Sequence, residues 1–203
     1  MKKIVLASGS PRRRELLSNS GLDFDVYISG ADEESVSHEG IPFGMYVQEL
    51  ALLKARDAAK AIGKNDCLII SADTVVVCDD EIMGKPRDKD DAFNMLKKLS
   101  GKTHSVFTGI CVWRAKDAFS VCSFDETKVL FKELTDETIQ RYINTLEPMD
   151  KAGSYALQGR GVALVKEVTG DYQNVVGLPV LKLFEILEKD FDFDFFKENV
   201  DEV

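Results

Sequence analysis

The small turn Ser8-Gly9-Ser10, followed by Pro11 and the consecutive arginines Arg12, Arg13 and Arg14, is the first place in this chain that could do chemistry. The apolar run Ile4 to Ala7 before it is long enough for one buried strand. Ser10 is a good N-cap and Pro11 suits the first helical position, so a helix is expected from Arg12 to about Asn19, stopping near Gly21. Strand, tight turn and helix N-terminus make a ready anion site. Free backbone N–H groups and the positive end of the helix dipole point into the turn. Arginines in the first helical turn cost roughly 0.3–1 kcal/mol each against that dipole. A bound polyanion would reverse the sign; otherwise the guanidinium groups fan into solvent or pair with acids such as Glu15.

Four further places carry charge where charge needs a reason. Asp32, Glu33 and Glu34 sit together in a polar loop, either simply solvated or holding a ligand for a hard cation, since Mg²⁺ takes one or two carboxylates plus phosphate oxygens. Lys54 falls on the apolar face of a long helix, as a snorkelling side chain or as a cation turned inward. Asp73 interrupts the most strand-like run, Cys67 to Cys78. A lone carboxylate there is expensive and requires a metal, a cation or several N–H donors, or else is a structural group at a strand end. Lys85 lies between Gly84 and Pro86, in stiff non-helical backbone that suits a positioned cation or an ordinary turn. The glycine-rich stretch Glu147 to Gly161, which contains Asp150 and Lys151, has the mixture of charge and small residues found in active-site loops.

Several chemistries are excluded. His38 and His104 are the only histidines, too few and too scattered for a Ser-His-Asp set or a histidine metal centre. Gly101-Lys102-Thr103 is not a phosphate loop of the G-x-x-x-x-G-K-[ST] type, because its first glycine would fall at Leu96. The net charge of −9 argues against stable nucleic-acid binding and against an anionic membrane surface. No apolar run approaches the roughly 20 residues of a membrane helix, and Lys2-Lys3 leads into too short an apolar run for a signal peptide. Cys67, Cys78, Cys111 and Cys122 form no C-x-x-C pair and read as reduced core residues of a cytoplasmic protein. Cations and acids without histidine suggest metal-assisted attack of water on a phosphate.

The positioning elements follow from periodicity and punctuation. Phe24–Ile28 reads as a strand. Pro42 opens a helix ending at Gly63, with Val47, Leu50, Ala51, Ala58 and Ala61 on its apolar face. Glu81–Met83 follows a turn at Asp79-Asp80, and a helix runs from Asp88 or Lys89 to Leu99. Strands at about 104–114 and 118–130 flank a turn at Lys116-Asp117, forming a hairpin. Thr135 caps a helix bearing Ile139, Tyr142 and Ile143. Val162–Val168 reads as a strand, Gly170–Gly177 as a loop, and Leu178-Pro179 as the start of a last helix reaching about Glu188. Phe191, Phe193, Phe195 and Phe196, interleaved with acids, form a tail that packs on the body or frays. The class is α/β with a mixed sheet.

Leu6-Ala7-Ser8-Gly9-Ser10-Pro11-Arg12-Arg13, Ala72-Asp73-Thr74-Val75-Val76, Gly84-Lys85-Pro86, Leu99 to His104, Glu147 to Gly153 and Val176-Gly177-Leu178-Pro179 resemble, in order and over nearly the whole chain, the motifs of the Maf family of nucleoside triphosphate pyrophosphatases. The resemblance implies a two-lobed α/β fold, like the inosine triphosphate pyrophosphatases, with the substrate in a central cleft. Residues 1–190 would form that unit and 191–203 a separate tail. It also implies hydrolysis of a nucleoside triphosphate to the monophosphate and pyrophosphate with a divalent cation, Mg²⁺ or Mn²⁺.

By the same resemblance Asp73 matches the proton acceptor. Ser8, Arg12, Arg13, Glu33, Lys54 and Lys85 match positions that handle triphosphate and metal; the metal ligands would be Glu33 and Asp73, with base, ligand or both left open for Asp73. Arg12, Thr74 and Gln158 match the specificity set of the branch acting on dTTP and UTP; the 7-methyl-GTP branch carries Trp, Gln and Glu there. A Gln amide offers a donor and an acceptor to a pyrimidine edge. The chain departs from the family's usual pattern at Ser154, Ala156 and Leu157. A nucleotide-binding regulator of septum formation is the reading from another class. Monomer and homodimer both stay open.

Overall fold

The computed structural model describes residues 3–198. The tail beyond residue 198, and Met1 and Lys2, lie outside the described residues. Seven strands form one mixed sheet: β1 (Lys3–Ala7), β2 (Asp25–Tyr27), β3 (Cys67–Cys78), β4 (Glu81–Met83), β5 (Thr103–Arg114), β6 (Phe119–Phe131) and β7 (Val165–Thr169). The order is β2-β1-β3-β5-β6-β7, with β4 paired to β3. β1 runs parallel to both β2 and β3, with Val5 opposite Asp25 and Ile4 opposite Leu68. β4 is antiparallel to β3, and β7 to β6. The helices are α1 (Pro11–Ser18), α2 (Phe43–Ile62), α3 (Lys89–Leu99), α4 (Asp136–Ile143), α5 (Tyr172–Val176), α6 (Val180–Phe191) and α7 (Phe195–Glu198). No described helix is long and apolar enough to cross a membrane.

The chain divides into two compact units. The first comprises the chain up to Asp73, Thr108–Asp125 and the chain from Gly177; the second comprises Thr74–Phe107 and Glu126–Val176. In the first unit α2 dominates. Pro42 stands extended before it, and Gly63, at φ 75°, ends it. Its buried stripe is Gly44, Val47, Leu50, Ala51, Ala55 and Ala58. The spacing carries this stripe on to Ile62, which packs with Val5, Ala58 and Ile69, so Ala61, expected inside, is exposed. The backbone comes close on this face. A Cβ at Gly109 of β5 would stand 2.1 Å from the Val47 carbonyl oxygen, so only glycine lets the strand lie this near the helix.

The second unit has its own core, in which Val76, Leu96, Phe131, Ile139, Tyr142 and Tyr155 pack together. Its helices begin as the sequence indicates: Asp88 accepts from the Asp91 N–H and Thr135 from the Thr138 N–H. Asp79 and Asp80, both at positive φ, make the tight β3–β4 turn.

Four local readings change. Ser10 occupies the N-cap of α1, but its side chain makes no capping bond. The strand expected from Val162 begins at Val165, because Arg160–Leu164 is a 3-10 turn whose first N–H groups are taken by Glu147. The segment Gly170–Gly177 is not all loop. Asp171 accepts from the Gln173 N–H and opens α5, and the buried Asn174 amide bonds the Val106 carbonyl and Thr127. At the C-terminal end α6 runs to Phe191, three residues past the expected stop. Phe191 and Phe193 are buried, and Phe196 is exposed.

Candidate active site

The first unit gathers Ser8, Arg12, Arg13, Glu33, Lys54 and Asp73. Asp73 sits on β3 in a run buried on both faces, where an isolated carboxylate would be costly. Its partner is Lys54: Nζ lies 2.6 Å from Asp73 Oδ1 and 3.0 Å from Glu33 Oε1. The lysine therefore points inward from α2 and bridges two carboxylates. The Lys54 and Asp73 side chains are 12% and 11% exposed and Glu33 is 52% exposed, so the pair is largely desolvated while Glu33 opens to solvent.

The sequence builds this contact by fixing α2 on the sheet. Ser71, two residues before Asp73, is buried and donates to the Ala51 carbonyl oxygen at 2.6 Å, one turn ahead of Lys54. The close approach at Gly109 acts in the same direction. Asp57, one turn after Lys54, accepts from the hydroxyls of Tyr27 and Ser29 and from the Gly30 N–H. That ties down the start of the acidic loop, which carries Glu33 on a 3-10 turn, Glu33–Ser35.

Beside this group lies the β1–α1 turn. Ser8 is buried, and its Oγ accepts from the Ser10 N–H at 3.2 Å and from Arg13 Nη1 at 3.4 Å. Arg13 Nε donates to the Gly177 carbonyl oxygen at 2.8 Å. Burial lowers the Arg13 pKa from its ordinary value and the neighbouring Arg12 adds to this, while Asp73 and Glu33 act in the opposite sense. Arginine stays charged throughout. So Arg13 shares one field with the two carboxylates and with Arg12. Half-buried Tyr46, two turns before Lys54 on α2, faces the same field. Burial, then Asp73 and Glu33, raise its hydroxyl above the ordinary value.

Thr74, Lys85 and Gln158 belong to the second unit. Thr74 follows Asp73 directly and is the only residue of β3 that is not fully buried. Lys85 is exposed in the loop after β4, and the adjacent Gly84 carbonyl accepts from the Gly153 N–H at 3.0 Å, tying that loop to the glycine-rich one. Gln158 is exposed at the end of a buried run, Gly153–Leu157. Asp150 and Lys151 pair with each other.

Among the described residues, no three of His, Cys, Asp and Glu come together to hold a metal by themselves. Glu33 and Asp73 nevertheless converge on one cation, the Lys54 ammonium. Two carboxylates with one face open fit a small hard cation whose remaining ligands are phosphate oxygens and water. All four cysteines are free thiols.

Sequence reasoning missed Tyr46, Asp57, Ser71 and Gly109. The first two had a signal, since Tyr46, Leu50, Lys54 and Asp57 recur at helical spacing on one side of α2. Ser71 and Gly109 matter through backbone proximity, which no local pattern announces.

A family profile described as "Maf-like protein" matches residues 3–190. A protein of Thermoanaerobacter sp. (strain X514) named "dTTP/UTP pyrophosphatase" is 54% identical over 190 residues, covering 94% of this chain and 97% of that protein. Proteins of the same name are 52% identical in Acetivibrio thermocellus, over 98% of this chain and all of that protein, and 47% identical in Clostridium botulinum (strain Eklund 17B / Type B), over 92% and 98%.

Proposed function

This chain belongs to the Maf-like protein family, and on that footing we propose that it is a nucleoside triphosphate pyrophosphatase acting on dTTP and UTP. The observation that carries the reading is the Glu33–Lys54–Asp73 group beside Arg12 and Arg13. It is a desolvated carboxylate next to cations that can be shared with a polyanion.

In the reaction a water oxygen bonds to the α-phosphorus while the bridging bond to the β-phosphate breaks, giving monophosphate and pyrophosphate. Asp73 takes the water proton. Lys54 engages one carboxylate oxygen and fixes the group's direction. Arg12, Arg13 and Lys54 neutralise the charge that builds on the leaving pyrophosphate, and Ser8 holds Arg13 in place. Lys85 adds a further phosphate contact, and Thr74 and Gln158 take the base. A divalent cation held by Glu33 and Asp73 would supply Lewis-acid stabilisation of phosphate oxygens. Four free thiols suit a reducing, cytoplasmic setting.

The test is pyrophosphate release from dTTP, UTP, 7-methyl-GTP and ATP with Mg²⁺ or Mn²⁺. Turnover concentrated on dTTP and UTP supports the proposal. Turnover concentrated on 7-methyl-GTP overturns the specificity, and none on any of the four overturns the reaction.

A further inference from the structure

Glu147 stands in the glycine-rich stretch, yet the reaction above gives it nothing to do. Its surroundings are unusual for a surface acid. Oε1 accepts from the Tyr142 hydroxyl and from the Gly161 N–H, each at 2.9 Å, and Oε2 accepts from the Arg160 N–H at 2.9 Å. The Tyr142 oxygen in turn accepts from the Ala156 N–H at 3.2 Å. One carboxylate and one phenol thus grip the chain at Ala156 on one side and at Arg160 and Gly161 on the other. Gln158 is midway between the two grips.

Packing agrees with this. A Cβ on Gly161 would stand 2.3 Å from the Ala156 carbonyl oxygen and 2.7 Å from the Tyr142 oxygen, so the two ends of the segment close on each other around the phenol. Tyr142 is buried in the core of its unit, and Gln158 is exposed. The loop is therefore held from below, and its amide side chain faces outward from a fixed base.

We infer that Tyr142 and Glu147 are a positioning pair that fixes the 156–161 loop and so sets how tightly Gln158 engages the pyrimidine base. The inference rests on the proposed dTTP/UTP activity for its substrate. A loop clamped at both flanks loses little entropy on binding, and freeing it raises that cost without touching the phosphate chemistry. Burial alone would raise the Glu147 carboxyl, but the Arg160 and Gly161 N–H groups and the Tyr142 hydroxyl outweigh it and leave it below its ordinary value of 4.5. The clamp is thus charged, and at its strongest, at neutral pH.

Tyr142→Phe keeps the ring and removes both bonds of the phenol. Its effect is read in hydrogen exchange at the Ala156, Arg160 and Gly161 amides and in steady-state kinetics with dTTP, UTP and ATP. Expected are faster exchange at these amides, a KM for dTTP and UTP raised about tenfold, and a kcat changed by less than about threefold. Glu147→Gln, which retains one accepting oxygen, should fall between wild type and Tyr142→Phe. Unchanged exchange overturns the inference, and so does faster exchange with an unchanged KM or with the loss confined to kcat. Wild-type protein that releases no pyrophosphate from dTTP or UTP overturns the functional reading instead, and the substrate named here falls with it.

Discussion

Asp73 and Glu147 are two sheltered carboxylates met in opposite ways. Asp73 is balanced by a side-chain ammonium, with the Arg13 guanidinium in its field. Glu147 is balanced by two backbone N–H groups and a phenol, none of which carries a formal charge. Side-chain cations can re-pair when a triphosphate enters, so the first arrangement is rearrangeable. Backbone donors cannot move without moving the chain, so the second is a fixture. The same chemical group is thus held by mobile side-chain cations in one unit and mainly by fixed donors in the other, which suits the first to the proposed reactive role and the second to the inferred positioning role.

Asp73→Asn should show the largest effect. It keeps the shape and removes the proposed proton acceptor, so pyrophosphate release should fall about 100- to 10,000-fold. The fold should tolerate it, because Lys54 retains Glu33 at 3.0 Å. Turnover within a few-fold of wild type in a correctly folded variant would dissolve the contrast between the carboxylates.

The next effect is on stability in acid and concerns the second unit alone. His104 is buried there, its Nε2 2.8 Å from the Tyr155 hydroxyl and its ring edge-on to Phe131, with no charged partner among its contacts. Burial lowers its pKa from 6.5 to about 4. The folded chain therefore resists a proton that the unfolded chain accepts below pH 6.5. The stability is fully present above pH 6.5 and is lost as the pH falls toward 4, by about 3 kcal/mol in all. Denaturant unfolding from pH 7 to 4 should show this slope, and His104→Asn should lack it whatever its stability at neutral pH. An equal slope in both proteins would place the acid sensitivity elsewhere.

Much of this was legible in the sequence, for identifiable reasons. β3 was visible as a long, mostly apolar run, and the bounds of α2 were marked by Pro42 and Gly63. Asp73 stood out because it breaks such a run, and Lys54 because it falls on an apolar face. That they meet was not legible, since their contact depends on the depth at which α2 sits, set by Ser71 and Gly109 through backbone atoms. Residues 162–164 look like the start of a strand locally but close the 3-10 turn Arg160–Leu164, for a similar reason. Its first N–H groups are claimed by Glu147, thirteen residues upstream of Arg160, and apolar content near Val162 outweighs that remote acceptor in any local window. Tertiary hydrogen bonds overrode a weak local preference.

Gln158 and Tyr142 give the smallest effect and the sharpest separation of the two carboxylates. Gln158→Ala removes an exposed side chain, so stability should hardly change. Losing its bonds to the base should raise the KM for dTTP and UTP about tenfold, which corresponds to about 1.4 kcal/mol. Tyr142→Phe reaches the same KM by a different route if it acts only by holding the loop. The two changes then remove one interaction twice, and the double variant should be no worse than the worse single one. Additive losses would mean that the Tyr142–Glu147 pair supports binding through something other than Gln158. Either single loss should also leave the effect of Asp73→Asn intact and simply multiply it, because a fixture that positions the base and a carboxylate that takes a proton act on separate terms of the same rate.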